Sequence, residues 1–420
     1  MKFPPRSRAV PGNSRGTLQL TPPSPASHQA SNATPFRALA PVFLYFAIAG
    51  VVTVMLGPLL PSLIQRWQIQ DAQAGTLFTA VFAGQLCGAW FAVRNLRASV
   101  IYGSCLTAIG CAAMAWADFS PAHIALFCVG LGLGAGLTAG NVIVGTAVPS
   151  ARARLLALLN VAWSAGAIAS PLLVRACGPS GIRTFFYLTA ISLAVAAVFA
   201  IIIPRQSQLG TLVLHAEAIP SSPLAKSSKP GLPLPPLPLL LFAAAMLLYV
   251  GVENALGGWL PSYAIRVNPS AHAPTIALYF WIAQLVGRLL MAAPTNLLDE
   301  AALYRLSLAI LILAQTLVLA TGHLAPGSMV VLTILSGFAL APLYPLILAF
   351  LLARTGSHPR LGPLFASASL GGATMPWFTG IVSTHFHSLR TGLIVPAAGT
   401  VLLLLLATSI TSKSSAKAIG

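Results

Sequence analysis

The sequence predicts an all-α integral membrane protein with twelve transmembrane helices, and three observations lead to this fold class. Charged residues make up 7% of the 420 residues and hydrophobic residues 57%, a balance with which a soluble protein of this length cannot cover its surface. The apolar residues form blocks of about 18–25, the length that a helix needs to cross about 30 Å of hydrocarbon. These blocks are apolar on all sides, whereas the strands of a membrane barrel alternate in polarity.

Twelve apolar blocks follow a Pro-, Ser- and Arg-rich start at residues 1–38, which we expect to be a disordered cytoplasmic tail. The blocks span approximately 39–63, 74–93, 98–117, 121–146, 153–176, 183–203, 237–263, 273–293, 301–322, 327–353, 360–383 and 388–411. A basic, Pro-rich connection at 204–236 predicts a flexible cytoplasmic linker between two six-helix halves, 39–203 and 237–411. Residues 412–420 form a second cytoplasmic tail.

The distribution of basic residues predicts the orientation in the membrane. With both termini in the cytoplasm, 18 of the 23 Lys and Arg residues lie inside and 5 lie outside, as the positive-inside rule requires. The expected location is the cell membrane, either plasma or inner membrane, with the lipid bilayer as the surrounding medium. The net charge of +17 does not indicate nucleic-acid binding, because the basic residues are scattered among connections and form no basic face.

Two short patterns repeat between the halves. A Gly followed three residues later by Leu-Pro-Ser stands at 57–62 and again at 257–262, and a Gly followed five residues later by Pro stands at 166–171 and at 371–376. The two offsets are close to 200 residues and the linker lies between the copies. The sequence therefore favours a parallel duplication.

This plan resembles the major facilitator superfamily, and local strings resemble its fucose, glucose and galactose permease branch. The strings are GLGLGAGLTAGNVIVGTAVP at 130–149, RARLLALLNVAWSAGAIASPLL at 152–173, YVGVENALGGWLPSY at 249–263, FWIAQLVGR at 280–288 and LAPLYPLILA at 340–349. The resemblance implies a transporter whose halves rock around a site near the membrane midplane. It also implies a small neutral substrate, H⁺ or Na⁺ as coupling ion, no cofactor and a monomer.

The chain departs from the resembled family at two places. The superfamily's cytoplasmic signature between the second and third helices has an Asp, whereas the matching stretch here runs from Val93 to Arg97 without an acid. Proton-coupled fucose permeases have acids in their first and fourth helices, whereas this chain has none in either and Leu137 aligns with the fourth-helix Glu. Proton-coupled fucose transport therefore does not follow from the resemblance alone.

Glu253 is the candidate for coupling and for substrate binding. The other five acids, Asp71, Asp118, Glu217, Asp299 and Glu300, fall in connections or at helix ends, whereas Glu253 lies inside the seventh block. An ionised group at that depth costs about 2.5–3.5 kcal/mol or more unless it faces water or a partner. The residue is expected to carry a proton between the two sides or to accept hydrogen bonds from sugar hydroxyl groups. The alternative is a structural Glu that fixes one helix to its neighbour.

A sugar site needs amides and hydroxyls together with an aromatic surface. Residues of these types within the apolar blocks are Asn254, Asn141, Asn160, Gln284, Tyr249, Trp163, Gln85, Tyr279, Trp281 and Tyr344. Amides also join membrane helices and aromatics also face lipid, so both interpretations stay open. Arg94 and Arg288 are gate candidates at the cytoplasmic side, with Arg288 either paired with Asp299 or Glu300 or reaching towards the membrane surface.

The resulting hypothesis is a secondary transporter that imports a hexose-like solute by alternating access, with proton coupling through Glu253 as a further hypothesis. An exporter of amphiphilic or cationic drug-like compounds is the alternative within the same class. A membrane-embedded enzyme would need clustered catalytic groups, and a non-transporting sensor would need a folded extra domain. No metal site is expected, because His385 and His387 lack a third ligand nearby.

Overall fold

A computed structural model describes residues 35–92, 95–147, 152–178, 181–203, 236–292, 299–320, 326–355 and 361–411, and within these ranges the chain is helical with no strand. The first half contains α1 (Pro35–Thr53), α2 (Leu56–Trp67), α3 (Asp71–Phe91), α4 (Leu96–Met114), α5 (Phe119–Ala147), α6 (Arg152–Cys177) and α7 (Ile182–Ala200). The second half contains α8 (Pro236–Val267), α9 (Ala273–Ala292), α10 (Glu300–Ala320), α11 (Pro326–Leu340), α12 (Leu343–Thr355), α13 (Leu361–His385), α14 (Leu389–Gly392) and α15 (Ile394–Thr411). Most of the predicted N-terminal tail and of the predicted linker, and the whole predicted tail at 412–420, lie outside the described residues. Residues 35–38, predicted as the end of the N-terminal tail, instead form the first turn of α1.

The described helices confirm the fold class. Ten helical spans are long and apolar enough to cross a membrane, and the bent pair α1–α2 raises the number to eleven. The remaining helix of spanning length, α13, has 25 residues, about 37 Å along its axis. It is rich in Gly, Ser and Thr. Because it packs against α3 and α8, less of its surface has to be apolar for contact with lipid. The predicted twelve spans are consistent with this arrangement.

Two predicted blocks are broken in the structure, and proline accounts for both breaks. The first block, predicted as one helix, bends by 41° between α1 and α2. Pro58 has no N–H for the carbonyl of Val54, which instead accepts from the Gly57 amide at 3.2 Å. The tenth block divides into α11 and α12 beside Pro342, because a proline lacks the backbone N–H that would continue the helix. In contrast, α6 and α13 continue through their prolines.

Glycines allow helix backbones to touch within each half. A Cβ added at Gly130 of α5 would lie 1.9 Å from the carbonyl oxygen of Val81, and one at Gly134 would lie 2.1 Å from that of Gln85. Real Cβ atoms do not approach a carbonyl so closely, so only glycine fits where α5 crosses α3. The glycine-rich stretch of 130–136 therefore serves close helix packing, as expected from its sequence.

The two repeated glycines make equivalent contacts in the two halves. A Cβ at Gly166 of α6 would lie 1.7 Å from the Ala47 carbonyl oxygen, and one at Gly371 of α13 would lie 1.9 Å from the Leu247 carbonyl oxygen. The pair α1–α6 thus corresponds to α8–α13, and residues 47 and 247 differ by the repeat offset. This correspondence supports the proposed parallel duplication.

The halves meet mainly where α3 runs along α13, where α2 contacts α8 and α9, and where α6 contacts α9. Thr79 of α3 donates its hydroxyl to the Ala373 carbonyl at 2.7 Å, and Asp71, two turns earlier, contacts Ser383. We call the end of the bundle that carries Asp71, Ser383 and the C-terminal turn of α8 the closed end. The described contacts across this pair of helices lie between the closed end and the middle of the bundle.

Candidate functional site

Glu253 lies close to the middle of the longest described helix. It stands 17 residues after the first residue of α8 and 14 before the last, about 26 Å and 21 Å along the helix axis. The residue is 9% exposed. A carboxyl group at this depth requires polar partners from the protein.

Three donors meet at one oxygen of Glu253. Its Oε1 accepts from the Tyr249 hydroxyl at 2.6 Å, from Gln284 Nε2 at 2.5 Å and from Arg288 Nη2 at 3.3 Å. Tyr249 is one turn earlier on α8, and Gln284 and Arg288 are four residues apart on α9, so each pair shares a helix face. Within the described part of the chain, Oε2 accepts no hydrogen bond. It is therefore the carboxylate atom available to a proton or a ligand.

Arg288 connects this carboxylate to the opposite half of the molecule. Its Nη1 donates to Ser164 Oγ at 3.3 Å, and its guanidinium carbon lies 5.8 Å from the centre of the Trp163 ring. Both partners are on α6 of the first half. One cation on α9 thus contacts an anion in its own half and a hydroxyl and an aromatic face in the other.

Aromatic rings border the polar groups. Trp163 and Trp281 pack edge to face with ring centres 5.9 Å apart, and Tyr344 lies 5.5 Å from the ring of Tyr249. Trp281 is 4% exposed, and its indole N–H has no hydrogen-bond partner among the described residues. A buried donor of this kind is left for a ligand or for water. We call the whole group the central cluster: Trp163, Ser164, Tyr249, Glu253, Trp281, Gln284, Arg288 and Tyr344.

The remaining predicted site residues make no described contact with the central cluster. The amides of Asn141, Asn160 and Asn254 each donate to the carbonyl four residues earlier on the same helix. This bond leaves each side-chain carbonyl free, and Asn141 and Asn160 are exposed. Tyr279 is 36% exposed, and Gln85 has a buried Nε2 without a partner.

A second polar group lies at the closed end, where the sequence analysis predicted no site. Asp71 forms a two-point ion pair with Arg266, with Oδ1 accepting from Nη2 at 2.6 Å and Oδ2 from Nη1 at 2.7 Å. Ser383 Oγ also donates to Oδ2, at 2.5 Å. Asp71 is in the first turn of α3, where the helix dipole favours a negative charge. We call Asp71, Arg266 and Ser383 the closed-end cluster.

The closed-end cluster has no local signal in the sequence. Arg266 is 195 residues away from Asp71 and Ser383 is 312 residues away. The sequence places Asp71 in a connection or at a helix end, because it precedes the apolar run that begins at Ala74, and it is the first residue of α3. In the structure it is buried, with 9% of its surface exposed.

The family follows from the sequence as a whole. The family model described as Major Facilitator Superfamily matches residues 42–360, which include most of both halves. The chain belongs to the major facilitator superfamily. It is therefore a multi-pass membrane transporter and not an enzyme.

Similar proteins cover nearly the whole of this superfamily member. A glucose/galactose transporter of Brucella abortus is 25% identical over 82% of this chain and 87% of its own length. Bypass of stop codon protein 6 of Saccharomyces cerevisiae is 23% identical over 81% of this chain and 76% of its own length. Both alignments extend across the two halves.

Solved structures of the superfamily share the fold. The inward open xylose transporter XylE from E. coli superimposes with a TM-score of 0.71 at 12% identity, covering 91% of this chain and 98% of that one. The E. coli fucose:proton symporter FucP gives a TM-score of 0.57 at 17% identity, covering 90% of this chain and 99% of that one. At these identities the likeness shows the fold alone.

The central cluster lies where Arg288 of α9 contacts α6 of the other half. Arg288, which the sequence predicted as a gate residue at the cytoplasmic side, is placed differently. Arg288 pairs with Glu253 and not with Asp299 or Glu300, because its side chain turns into the bundle, where a buried carboxylate attracts the cation. Arg94 lies outside the described residues.

No group of three or more metal-ligating side chains occurs in the described ranges, and a metal role for His385 and His387 gains no support.

Proposed function

We propose that this transporter moves a neutral, hexose-like sugar across the cell membrane by alternating access, with the central cluster as its binding site. The observation that carries the proposal is the position of the cluster. A carboxylate, an amide, a phenol and a guanidinium meet beside aromatic rings at mid-membrane, and Arg288 contacts both halves. A substrate at this place would touch both halves and would respond to their movement.

The chemistry of the central cluster suits a sugar. Glu253 Oε2 is a free acceptor for a sugar hydroxyl, and the Trp281 indole N–H is a free donor. The perpendicular rings of Trp163 and Trp281 offer an apolar surface of the kind that the less polar face of a hexose ring requires. The similarity to a glucose/galactose transporter supports the same substrate class.

We assign proton coupling to Glu253. Its ionised form fits the observed geometry, because three donors, one of them the Arg288 cation, surround the carboxylate. A proton bound at Oε2 removes the negative charge and thereby weakens the contact with Arg288 across 3.3 Å. Arg288 is then free to act on Ser164, Trp163 or the substrate. Protonation thus changes the link between the halves at the substrate site itself.

The predicted orientation completes the proposal. We place both termini in the cytoplasm, so the closed end faces outside and the opposite end of the bundle faces the cytoplasm. The functional unit is proposed to be a monomer, since each chain contains both halves of the site.

Uptake measurements with purified protein in proteoliposomes test the substrate class and the ion. Radiolabelled glucose, galactose and fucose are offered with an inward proton gradient, with an inward sodium gradient or with neither. We expect uptake of at least one hexose, raised by the proton gradient and unaffected by sodium. Absence of hexose uptake under all conditions, together with transport of hydrophobic cations, would contradict the proposal.

A further inference from the structure

The closed-end cluster joins side chains from opposite halves of the transporter. Asp71 belongs to the first half, whereas Arg266 and Ser383 belong to the second. All three hydrogen bonds to the Asp71 carboxylate therefore cross between the halves. If the halves separate at this end, the three bonds must break together.

Burial makes these bonds sensitive to that separation. Asp71 is 9% exposed, and the Arg266 side chain is 40% exposed. In the closed arrangement the carboxylate exchanges nearly all of its water for a two-point arginine contact and a hydroxyl group, which is a strong form of ion pair. In an open arrangement both charges would return to water. The Asp71–Arg266 ion pair therefore stabilises the closed arrangement only while its two hydrogen bonds are maintained.

The backbones around Asp71 fix that geometry. The amide of Ala72 donates to Thr384 Oγ1 at 2.8 Å, and a Cβ added at Gly380 would lie 2.3 Å from the Asp71 carbonyl oxygen. The N-terminal turn of α3 is thus in direct contact with the last turns of α13. The first turn of α3 cannot move away from the end of α13 without the loss of these backbone contacts.

We propose that Asp71, Arg266 and Ser383 are positioning residues for transport, which hold the closed end together and set the equilibrium between the two access states. The cluster acts apart from the substrate site. Arg266 follows Glu253 on α8 by 13 residues, about 20 Å along the helix. The proposal rests on family membership and on these contacts, and it does not depend on which solute is carried.

Distance measurements between spin labels test the proposal without a substrate. Labels are attached at Q65C on α2 and H385C on α13, two exposed positions near the closed end in opposite halves. The native cysteines are first replaced: Cys87, Cys105, Cys111, Cys128 and Cys177. Double electron–electron resonance then gives the populations of short and long distances.

Removal of either charge is expected to open the closed end. In D71N and in R266Q the ratio of long to short distances should rise about tenfold over the unsubstituted protein, because a charge-assisted bond worth about 1.5 kcal/mol is lost. S383A should give a smaller rise. The exchanged pair D71R/R266D should bring the ratio back towards its original value. R266Q provides the test if Asp71 variants do not fold, since Arg266 is the more exposed partner.

R390Q is the matched control. Arg390 is an exposed cation on α14 near the closed end, and it makes no hydrogen bond or ion pair within the described residues. The proposal expects R390Q to leave the distance populations unchanged. It is overturned if D71N and R266Q match the unsubstituted protein, or if R390Q shifts the populations as far as they do.

Discussion

At the residue scale, the geometry around Glu253 explains how a carboxylate is tolerated at mid-membrane. Placing the charge at this depth costs about 2.5–3.5 kcal/mol, whereas hydrogen bonds to charged groups contribute about 1.5–3 kcal/mol each. Tyr249, Gln284 and Arg288 supply three such bonds. The ionised state is therefore stable only while α9 keeps its position against α8, which ties the charge of Glu253 to the arrangement of the helices.

Arg288 should not tolerate substitution by lysine. The guanidinium donates from Nη2 to Glu253 and from Nη1 to Ser164, whereas a lysine ammonium is a single point that does not bridge both partners in this way. We expect R288K to lower the initial uptake rate of the substrate about tenfold, which corresponds to about 1.4 kcal/mol. R305K is the control, since within the described residues Arg305 donates only to the Ala301 carbonyl of its own helix. Equal rates in R288K and R305K would exclude a bridging role.

At the element scale, the helices show which features can be predicted from the sequence. Block lengths and apolar composition predict most spans, since those properties are local. Six members of the central cluster can also be selected from the sequence as polar or aromatic residues within apolar blocks: Trp163, Tyr249, Glu253, Trp281, Gln284 and Tyr344. Their role in substrate binding stays a proposal. Ser164 was missed, since a serine in a membrane helix has no distinctive signal. The Asp71–Arg266 pair was missed because it depends on helix packing across 195 residues.

Close packing of helices at the repeated glycines should stabilise the folded protein. In G371A the new Cβ would lie 1.9 Å from the Leu247 carbonyl oxygen, so α8 and α13 must move apart, at a cost of about 1–3 kcal/mol. We expect a drop of several degrees in the thermal unfolding midpoint of the purified protein. G327A is the matched control, because a Cβ there meets nothing within 4 Å. Equal midpoints for the two variants would mean that α13 is not packed as described.

At the scale of the whole molecule, the two proposed halves meet at the central cluster and at the closed end. The contacts that join them pair α3 with α13, α2 with α8 and α9, and α6 with α9, and Arg288 adds a polar link to Ser164. The predicted linker at 204–236 is a covalent connection between the halves, and nothing in the described contacts requires it. Each half is expected to fold as a unit and to recognise the other through these helix pairs.

Separate expression of the halves tests this organisation. Fragments 1–215 and 216–420, divided within the predicted linker, should associate when they are produced together, because the contacts between the halves are retained. The measurement is recovery of the untagged fragment with the tagged one in detergent, followed by transport in proteoliposomes. The same fragments carrying G75L should fail to associate, since a Cβ at Gly75 already lies 2.8 Å from the Trp377 Cα. Failure of the unsubstituted fragments to associate would contradict the two-half organisation.

The most direct test of the central claim compares accumulation with exchange in E253Q. In proteoliposomes, the unsubstituted protein should accumulate labelled hexose against its gradient when an inward proton gradient is imposed. It should also exchange labelled for unlabelled sugar without that gradient. E253Q keeps a side chain of the same size but cannot bind and release a proton, so it should lose accumulation and retain exchange. Accumulation that follows the proton gradient as strongly in E253Q as in the unsubstituted protein would contradict the account.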